Sequence, residues 1–414
     1  MKKQKDFNKS KGGWQFPLVD SSYDNKEILK CISVLLDGQL TMGPLVKEFE
    51  SEFSKFVNAP YAIMVNSGSS ANLLACSAIT NPARARHLTP GSKVAVPAVC
   101  WSTSIWPIVQ TGLVPVLIDV EPDTLNLSIK SLKSSFHKHD IKAVMMVHVL
   151  GNSTMMGELL SIVEANDLIL IEDTCESLGT KYRGGYLGTF GDFGTFSFYF
   201  SHHMTTIEGG MIIAKNKKDY DLLKCLRTHG WSREQSNKKE LESMYEHIDP
   251  RFLFINMGYN LRPMELQAAF GLEQIRCLEA MNTCRCENVR KLRRAFHNHS
   301  LWKNQLLFPR ATADLELCWF GFPFLVKQEI RNRKKFTKDL MKCGIDTRPI
   351  VSGNMALQPA VKNFNVDLSM GPFLGAQIIH EKGFFVGCHS KPLDDERIHW
   401  LVTTILETVI ENTR

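Results

Sequence analysis

"LILIEDTCESLGT" occupies residues 168–180. Apolar residues run unbroken into Glu172 and Asp173, and a glycine-containing turn segment follows. A short apolar run of this kind, closed by polar residues, suits a strand buried on both faces, as in a parallel sheet. Asp173 then falls at the carboxyl end of the strand, where α/β proteins place their ligands. A buried carboxylate is costly unless a cation faces it. A protonated pyridine nitrogen is such a cation, and pairing it with Asp makes the ring of pyridoxal phosphate an electron sink. The plain alternative is a structural Asp that ends a strand.

Similar runs flank this one. "AIMV" (62–65), "VAVPA" (94–98), "VPVLIDV" (114–120), "AVMMVHVL" (143–150), "TFSFYF" (195–200) and "MIIA" (211–214) read as strands. "SANLLACSAI" and "TMMGELLSIVEAND" between them have helical spacing. Alternation of this kind predicts an α/β architecture with a mostly parallel sheet. Residues 264–300 read as one long helix leading out of that unit. "CWFGFPFLV" (318–326) then alternates like a strand, and "RNRKKFTKDLMKCG" (331–344) reads as an amphipathic helix ending at glycine. The organisation expected is a flexible basic tail (1–16), a large α/β domain (17–290) and a small α+β domain (291–414).

Composition narrows the classes. The 414 residues are 44% hydrophobic with a net charge of +6, and much of that charge sits in the Lys-rich start. No aromatic-interleaved basic motif points to nucleic acid. No 18-residue apolar run points to a membrane span, and the N-terminus shows no signal-peptide core. The 11 cysteines include no Cys-x-x-Cys pair, which fits free thiols in the cytoplasm better than disulfides. Cys284-x-Cys286 is the only close pair, and no metal site is expected.

Several further segments carry candidate chemistry. "VNSGSSANLL" (65–74) puts Gly68 and Ser69 between a strand and a helix, where free N–H groups and the helix dipole could seat a phosphate; a plain N-cap turn is the alternative. Trp101 in "PAVCWSTS" (97–104) could stack on a cofactor ring or simply fill the core. "FSFYFSHHMTTIEGGM" (196–211) holds Ser197 and the adjacent His202 and His203 ahead of Gly209-Gly210. "RTHGWSRE" (227–234) and "NMGYNLRPMELQAAF" (256–270) each place a positive group beside glycine and an aromatic residue.

In their order these motifs resemble the DegT/DnrJ/EryC1/StrS family of sugar aminotransferases, and the resemblance runs from residue 17 to near the C-terminus. The resemblance implies the pyridoxal-phosphate-dependent fold type I, aspartate aminotransferase-like. It implies pyridoxal 5'-phosphate or its amine, pyridoxamine 5'-phosphate, as cofactor. In the family's usual pattern a lysine six residues before the Glu of "EGG" tethers the cofactor. Here that position is His202, and no lysine occurs from 182 through 214. Histidine at that place is a mark of the family's sugar 3-dehydratases. The wording "TMG", "FYFSHH", "THGWSR", "GYNLRP" and "RPIVSGN" is similar to the branch acting on GDP-4-keto-6-deoxymannose.

Position by position, the resemblance implies that His202 is the catalytic acid–base. Gly68, Ser69 and Ser197 would hold the phosphate, Trp101 the ring face, Asp173 the pyridine nitrogen, and Glu176 the ring hydroxyl region. Asn260 would reach the phosphate of the neighbouring subunit in a homodimer. His229 and Arg262 would hold the carboxylates of L-glutamate, and Arg233 the nucleotide diphosphate. Thr41, in a "GQLTMG" loop (38–43) one residue shorter than that branch's, and Asp346, where the branch has Glu, are further substrate-binding candidates. The partners implied are the nucleotide sugar and L-glutamate, with no reductase. Three readings stay beside it. One is a [2Fe–2S]-dependent dehydrase, for which Cys175 would supply one thiolate and residues 226–276 supply none. The others are a nucleotide-sugar aminotransferase and an inactive sugar-sensing homologue.

Overall fold

A computed structural model describes residues 13–20, 22–327 and 332–413. Seven strands form the main sheet: β1 (Tyr61–Val65), β2 (Lys93–Pro97), β3 (Val114–Ile118), β4 (Ile141–Val147), β5 (Ile169–Asp173), β6 (Phe193–Ser197) and β7 (Gly210–Ala214). Their spatial order is β1-β7-β6-β5-β4-β2-β3. Pairing is parallel throughout except on the two flanks of β7. The strands are almost wholly apolar because helices and loops cover both faces. On one face Ile63, Val65, Val96, Met145, Ile171 and Phe193 join a cluster with the helix Gly68–Ile79. On the other, Met64, Phe196 and Met211 pack with Phe49, Phe53 and Leu272, and Val144, Met146 and Leu170 with Met156 and Leu159.

The strand expected over 195–200 is displaced: it starts at Phe193 and stops at Ser197. Ladder pairing ends where Ser197 meets Gly210. Phe198 then donates to Gly209 O and accepts from Thr206 N, which bends the intervening residues into a loop. Tyr199 and Phe200 are consequently exposed. The segment carrying His202 is therefore a loop at the carboxyl end of the sheet, beside Asp173.

The long helix, Glu265–Asn298, runs from one unit into the next. Its Leu272 and Leu278 pack in the large unit, whereas Val289, Leu292 and Phe296 lie in the C-terminal core. That core is built around the strand Gly321–Val326 and the helix Asp395–Thr413. The strand's alternation separates two apolar faces rather than apolar from polar: Phe322, Phe324 and Val326 face the C-terminal core, and Leu325 faces the large unit. The helix expected over 331–344 spans Arg333–Lys342. The tail expected over 1–16 lies mostly outside the described residues. Its last two residues, Gln15 and Phe16, are buried, and Phe16 packs in the C-terminal core and bridges to Ile345. An apolar aromatic at the end of a basic segment gains more by burial than by remaining solvated. Among the described residues, no helix is long and apolar enough to cross a membrane.

Candidate functional site

Asp173 closes β5 and is 4% exposed. Its Oδ2 accepts hydrogen bonds from Asn72 Nδ2 and Ser104 Oγ, both at 2.8 Å, and its Oδ1 from Cys175 N at 3.2 Å. All three donors are neutral, and among the described residues no Lys, Arg or His forms an ion pair with it. A carboxylate held this way, at a strand terminus, is oriented to receive one cation. The residues fit a protonated pyridine nitrogen. Asn72 is itself fixed, since its Oδ1 accepts from Thr195 Oγ1 at 2.6 Å.

The turn into the helix Gly68–Ile79 is capped by Ser67, whose Oγ accepts from Ser70 N. The first-turn amides at Gly68 and Ser69 have no acceptor within the helix, which suits an anionic group. Gly68 is required sterically: a Cβ there would lie 2.5 Å from Ser197 Cβ and 3.0 Å from Cys175 Sγ. Only glycine lets the helix terminus press against the ends of β5 and β6. Gly210 is constrained likewise, with Ser67 O 2.4 Å from where its Cβ would stand. Ser69 Oγ shares a 2.8 Å hydrogen bond with Thr103 Oγ1. Ser197 Oγ lies within the same cleft and accepts from Tyr199 N. Trp101 is the exposed N-cap of the helix Ser102–Gln110, so it is not a core residue.

His202 Nδ1 lies 2.5 Å from Cys175 O. A carbonyl can only accept, so Nδ1 carries the proton and Nε2 has the free lone pair. Burial holds the ring's pKa down at about 4, against an upward pull from that hydrogen bond and from the charge of Asp173. The residue is a neutral base in the resting protein. Phe320 meets it edge-on at 5.1 Å. His203 is fully buried instead, with Nε2 on Cys318 O at 3.2 Å and burial pushing its pKa well down. Glu176, half-buried, accepts from Leu150 N at 2.9 Å. Burial, followed by the nearby Asp173 charge, pushes its carboxyl up to about 7.

A second group of expected residues gathers around Trp231. The Arg233 guanidinium stacks over the indole at 3.9 Å, Arg262 stands at 6.0 Å, and the His229 ring meets it edge-on at 4.8 Å. Asn260 Oδ1 accepts from Arg262 Nε at 2.9 Å. Leu261 O accepts from Asn66 N, which sets this segment beside the Ser67–Ser70 turn. No hydrogen bond or ring contact among the described residues joins the side chains of this group to Asp173 or His202. Thr41 forms an isolated bridge with Met264. Asp346 is buried and ion-paired with Arg348 at 2.6 Å, and its hydrogen bonds reach neither Asp173, Glu176 nor His202.

Sequence reasoning missed Asn72, Ser104, Trp231 and Glu265. Glu265 is 1% exposed and accepts from the amides of Gly43, Leu45 and Val46, fixing the segment that follows Thr41. Asn72 had a usable signal: it is the one amide side chain on a helix of small and apolar residues.

The chain matches the DegT/DnrJ/EryC1/StrS aminotransferase family over residues 21–405. It is 36% identical over 391 residues to the GDP-4-keto-6-deoxy-D-mannose 3-dehydratase of Escherichia coli O55:H7, covering 92% of this chain and 97% of the relative. A solved GDP-4-keto-6-deoxymannose-3-dehydratase variant with bound GDP-perosamine superimposes with a TM-score of 0.86 at 35% identity, over 94% of this chain and 100% of that one. The same enzyme with a trapped PLP–glutamate geminal diamine gives a TM-score of 0.87 at 35% identity, with 94% and 100% covered.

Proposed function

The chain belongs to the DegT/DnrJ/EryC1/StrS aminotransferase family, and from that membership we propose that it is a nucleotide-sugar 3-dehydratase. It removes the C3 hydroxyl of a 4-keto-6-deoxyhexose linked to GDP, in the synthesis of a 3,6-dideoxysugar. The observation that carries this reading is His202: a neutral imidazole, Nδ1 anchored on Cys175 O, standing where the family's usual pattern has lysine.

Pyridoxamine phosphate, when bound, supplies an amine for the C4 ketone and a ring that takes up electrons. Asp173 holds the pyridine nitrogen protonated, supported by Asn72 and Ser104. Gly68, Ser69 and Ser197 hold the phosphate, and Trp101 covers the ring. His202 Nε2 takes up the proton whose removal starts the elimination and delivers one to the departing C3 oxygen. Because histidine forms no covalent tether, the cofactor is free to remain in its amine form. Glu176, with its carboxyl titrating near neutrality, can hold or release a proton beside the ring hydroxyl.

L-Glutamate restores the amine, its carboxylates received by His229 and Arg262. Arg233 meets the diphosphate, and Thr41 and Asp346 contact the nucleotide sugar. The resemblance to the family implies a homodimer in which Asn260 reaches the cofactor phosphate of the partner subunit's site. An exposed apolar stripe on the helix Asn25–Asp37, comprising Ile28, Leu29, Ile32, Leu35 and Leu36, supports the same assembly. Free thiols at all 11 cysteines suit a cytoplasmic enzyme.

The test is to supply protein, pyridoxal phosphate and glutamate with a panel of nucleotide-linked 4-keto-6-deoxy sugars and to follow products by mass. Loss of one oxygen from the sugar is expected, with the GDP compound preferred. A product carrying an amine with its C3 oxygen retained would replace this reading with that of an aminotransferase.

A further inference from the structure

A cavity of about 530 Å³ lies between the long helix and the segment 316–319. Cys286 of the long helix and Cys318 both line it, with Arg290, Arg293 and Asn282. Asn282 is 9% exposed, and its Oδ1 has no partner. The Cys286 thiol donates to the carbonyl of Leu317, the residue preceding Cys318, at 3.0 Å. Both thiols stand on that one cavity wall; hydrogen bonding from Cys318 lowers Cys286 to about 7 against burial, with Arg290 and Arg285 adding to the effect. Cys318, deeper, is pushed well up and stays a thiol. One thiol is thus half-exposed and the more acidic of the two, the other buried on the same cavity wall, which is the arrangement of an attacking and a resolving thiol.

We propose that Cys286 and Cys318 form a modification site at which a small-molecule disulfide is reduced and the pair is oxidised, slowing the reaction at His202. The Cys286 thiolate attacks one sulfur of the small disulfide, forming a mixed disulfide and expelling one thiolate. Cys318 gives up its proton and attacks Cys286 Sγ, forming the Cys286–Cys318 bond and expelling the second thiolate. Two electrons leave the protein thiols and reduce the small disulfide to two thiols. The link to the site is short. Cys318 O holds His203 Nε2, and Phe320 packs edge-on against His202. Drawing Cys318 Sγ onto the helix moves the backbone that supports both rings. The inference rests on the dehydratase reading only for its effect on turnover; the cross-link is read independently.

The probe is glutathione disulfide, applied to the cofactor-loaded protein, with cysteines mapped by differential alkylation and mass spectrometry. A Cys286–Cys318 cross-link is expected to form before the exposed Cys277 is modified. Cys318→Ser is expected to stop at a mixed disulfide on Cys286, and Cys286→Ser to give neither product. Turnover of the wild type is expected to fall severalfold on oxidation and recover with dithiothreitol, while that of Cys286→Ser is insensitive. Modification of Cys277 with Cys286 and Cys318 left reduced would overturn the site. A complete cross-link with turnover unchanged would overturn its connection to His202.

Discussion

His202→Asn separates the protonation of one ring from everything else that titrates. In the fold, burial lowers the ring from 6.5 to about 4. That fall corresponds to about 3 kcal/mol of differential interaction between the two protonation states, and to about 2–3 kcal/mol once solvent at the ring's open edge is allowed for. Above pH 6.5 the ring is neutral in both folded and unfolded protein and imposes nothing. As pH falls, the unfolded chain takes up the proton first, so folding must hold His202 unprotonated against a growing penalty. The penalty is complete near pH 4. Asparagine does not titrate and can still donate to Cys175 O. The assay is denaturant unfolding of the cofactor-free protein at pH 8 and pH 4.5, wild type against variant. Other groups titrate alike in both proteins, His203 included, since its deep burial keeps it neutral in the fold. The wild type is expected to lose about 2–3 kcal/mol more stability than His202→Asn over that interval. Parallel stability curves would show that His202 keeps an ordinary pKa and would remove the argument that it rests as a neutral base.

Asn72→Leu takes a 2.8 Å donor from Asp173; at about 1.5–3 kcal/mol for a hydrogen bond to a charged group, cofactor affinity is expected to fall roughly 10- to 100-fold by absorbance titration, and unchanged affinity would remove Asn72 from the support of Asp173. His202→Lys is expected to give a yellow, borohydride-reducible adduct with pyridoxal phosphate and to lose deoxygenation, while His203→Asn keeps most turnover. The reverse pattern would shift the assignment to the neighbouring ring. Glu265→Ala strips the acceptor from three amides; amide exchange at Gly43, Leu45 and Val46 is expected to rise roughly tenfold or more, and unchanged exchange would show that the segment is held by other contacts.

The strand carrying Asp173 was legible because it must be apolar on both faces, and such a run is distinctive in sequence. His202 was legible for a different reason: a fixed distance to "EGG" exposed the missing lysine. What stayed hidden depends on contacts between distant segments. Glu265 reads as an ordinary acidic residue in the first turn of a helix, and nothing in its neighbourhood announces three amides arriving from residues 43–46. Trp231 sits in a motif noticed for a positive group beside glycine and an aromatic residue, but the aromatic was given no role, and it is the indole that gathers His229, Arg233 and Arg262. The end of β6 was misplaced because "TFSFYF" continues its β-forming character past Ser197. Periodicity could not show that the ladder with β7 stops there, and that the chain turns to present His202. Phe16 was assigned to a tail by its basic neighbours, although its partner Ile345 lies more than 300 residues away.

The most direct test of a neutral His202 serving C3 deoxygenation is a glutamate-driven turnover run in heavy water, with the sugar product read by NMR. The reaction replaces the C3 hydroxyl by hydrogen drawn from solvent. The expected product is therefore a 4-keto sugar with deuterium at C3, formed with stoichiometric 2-oxoglutarate and lost by roughly 100-fold or more in His202→Asn. A product with its C3 oxygen in place and an amine at C4, or full deoxygenation by His202→Asn, would contradict the account.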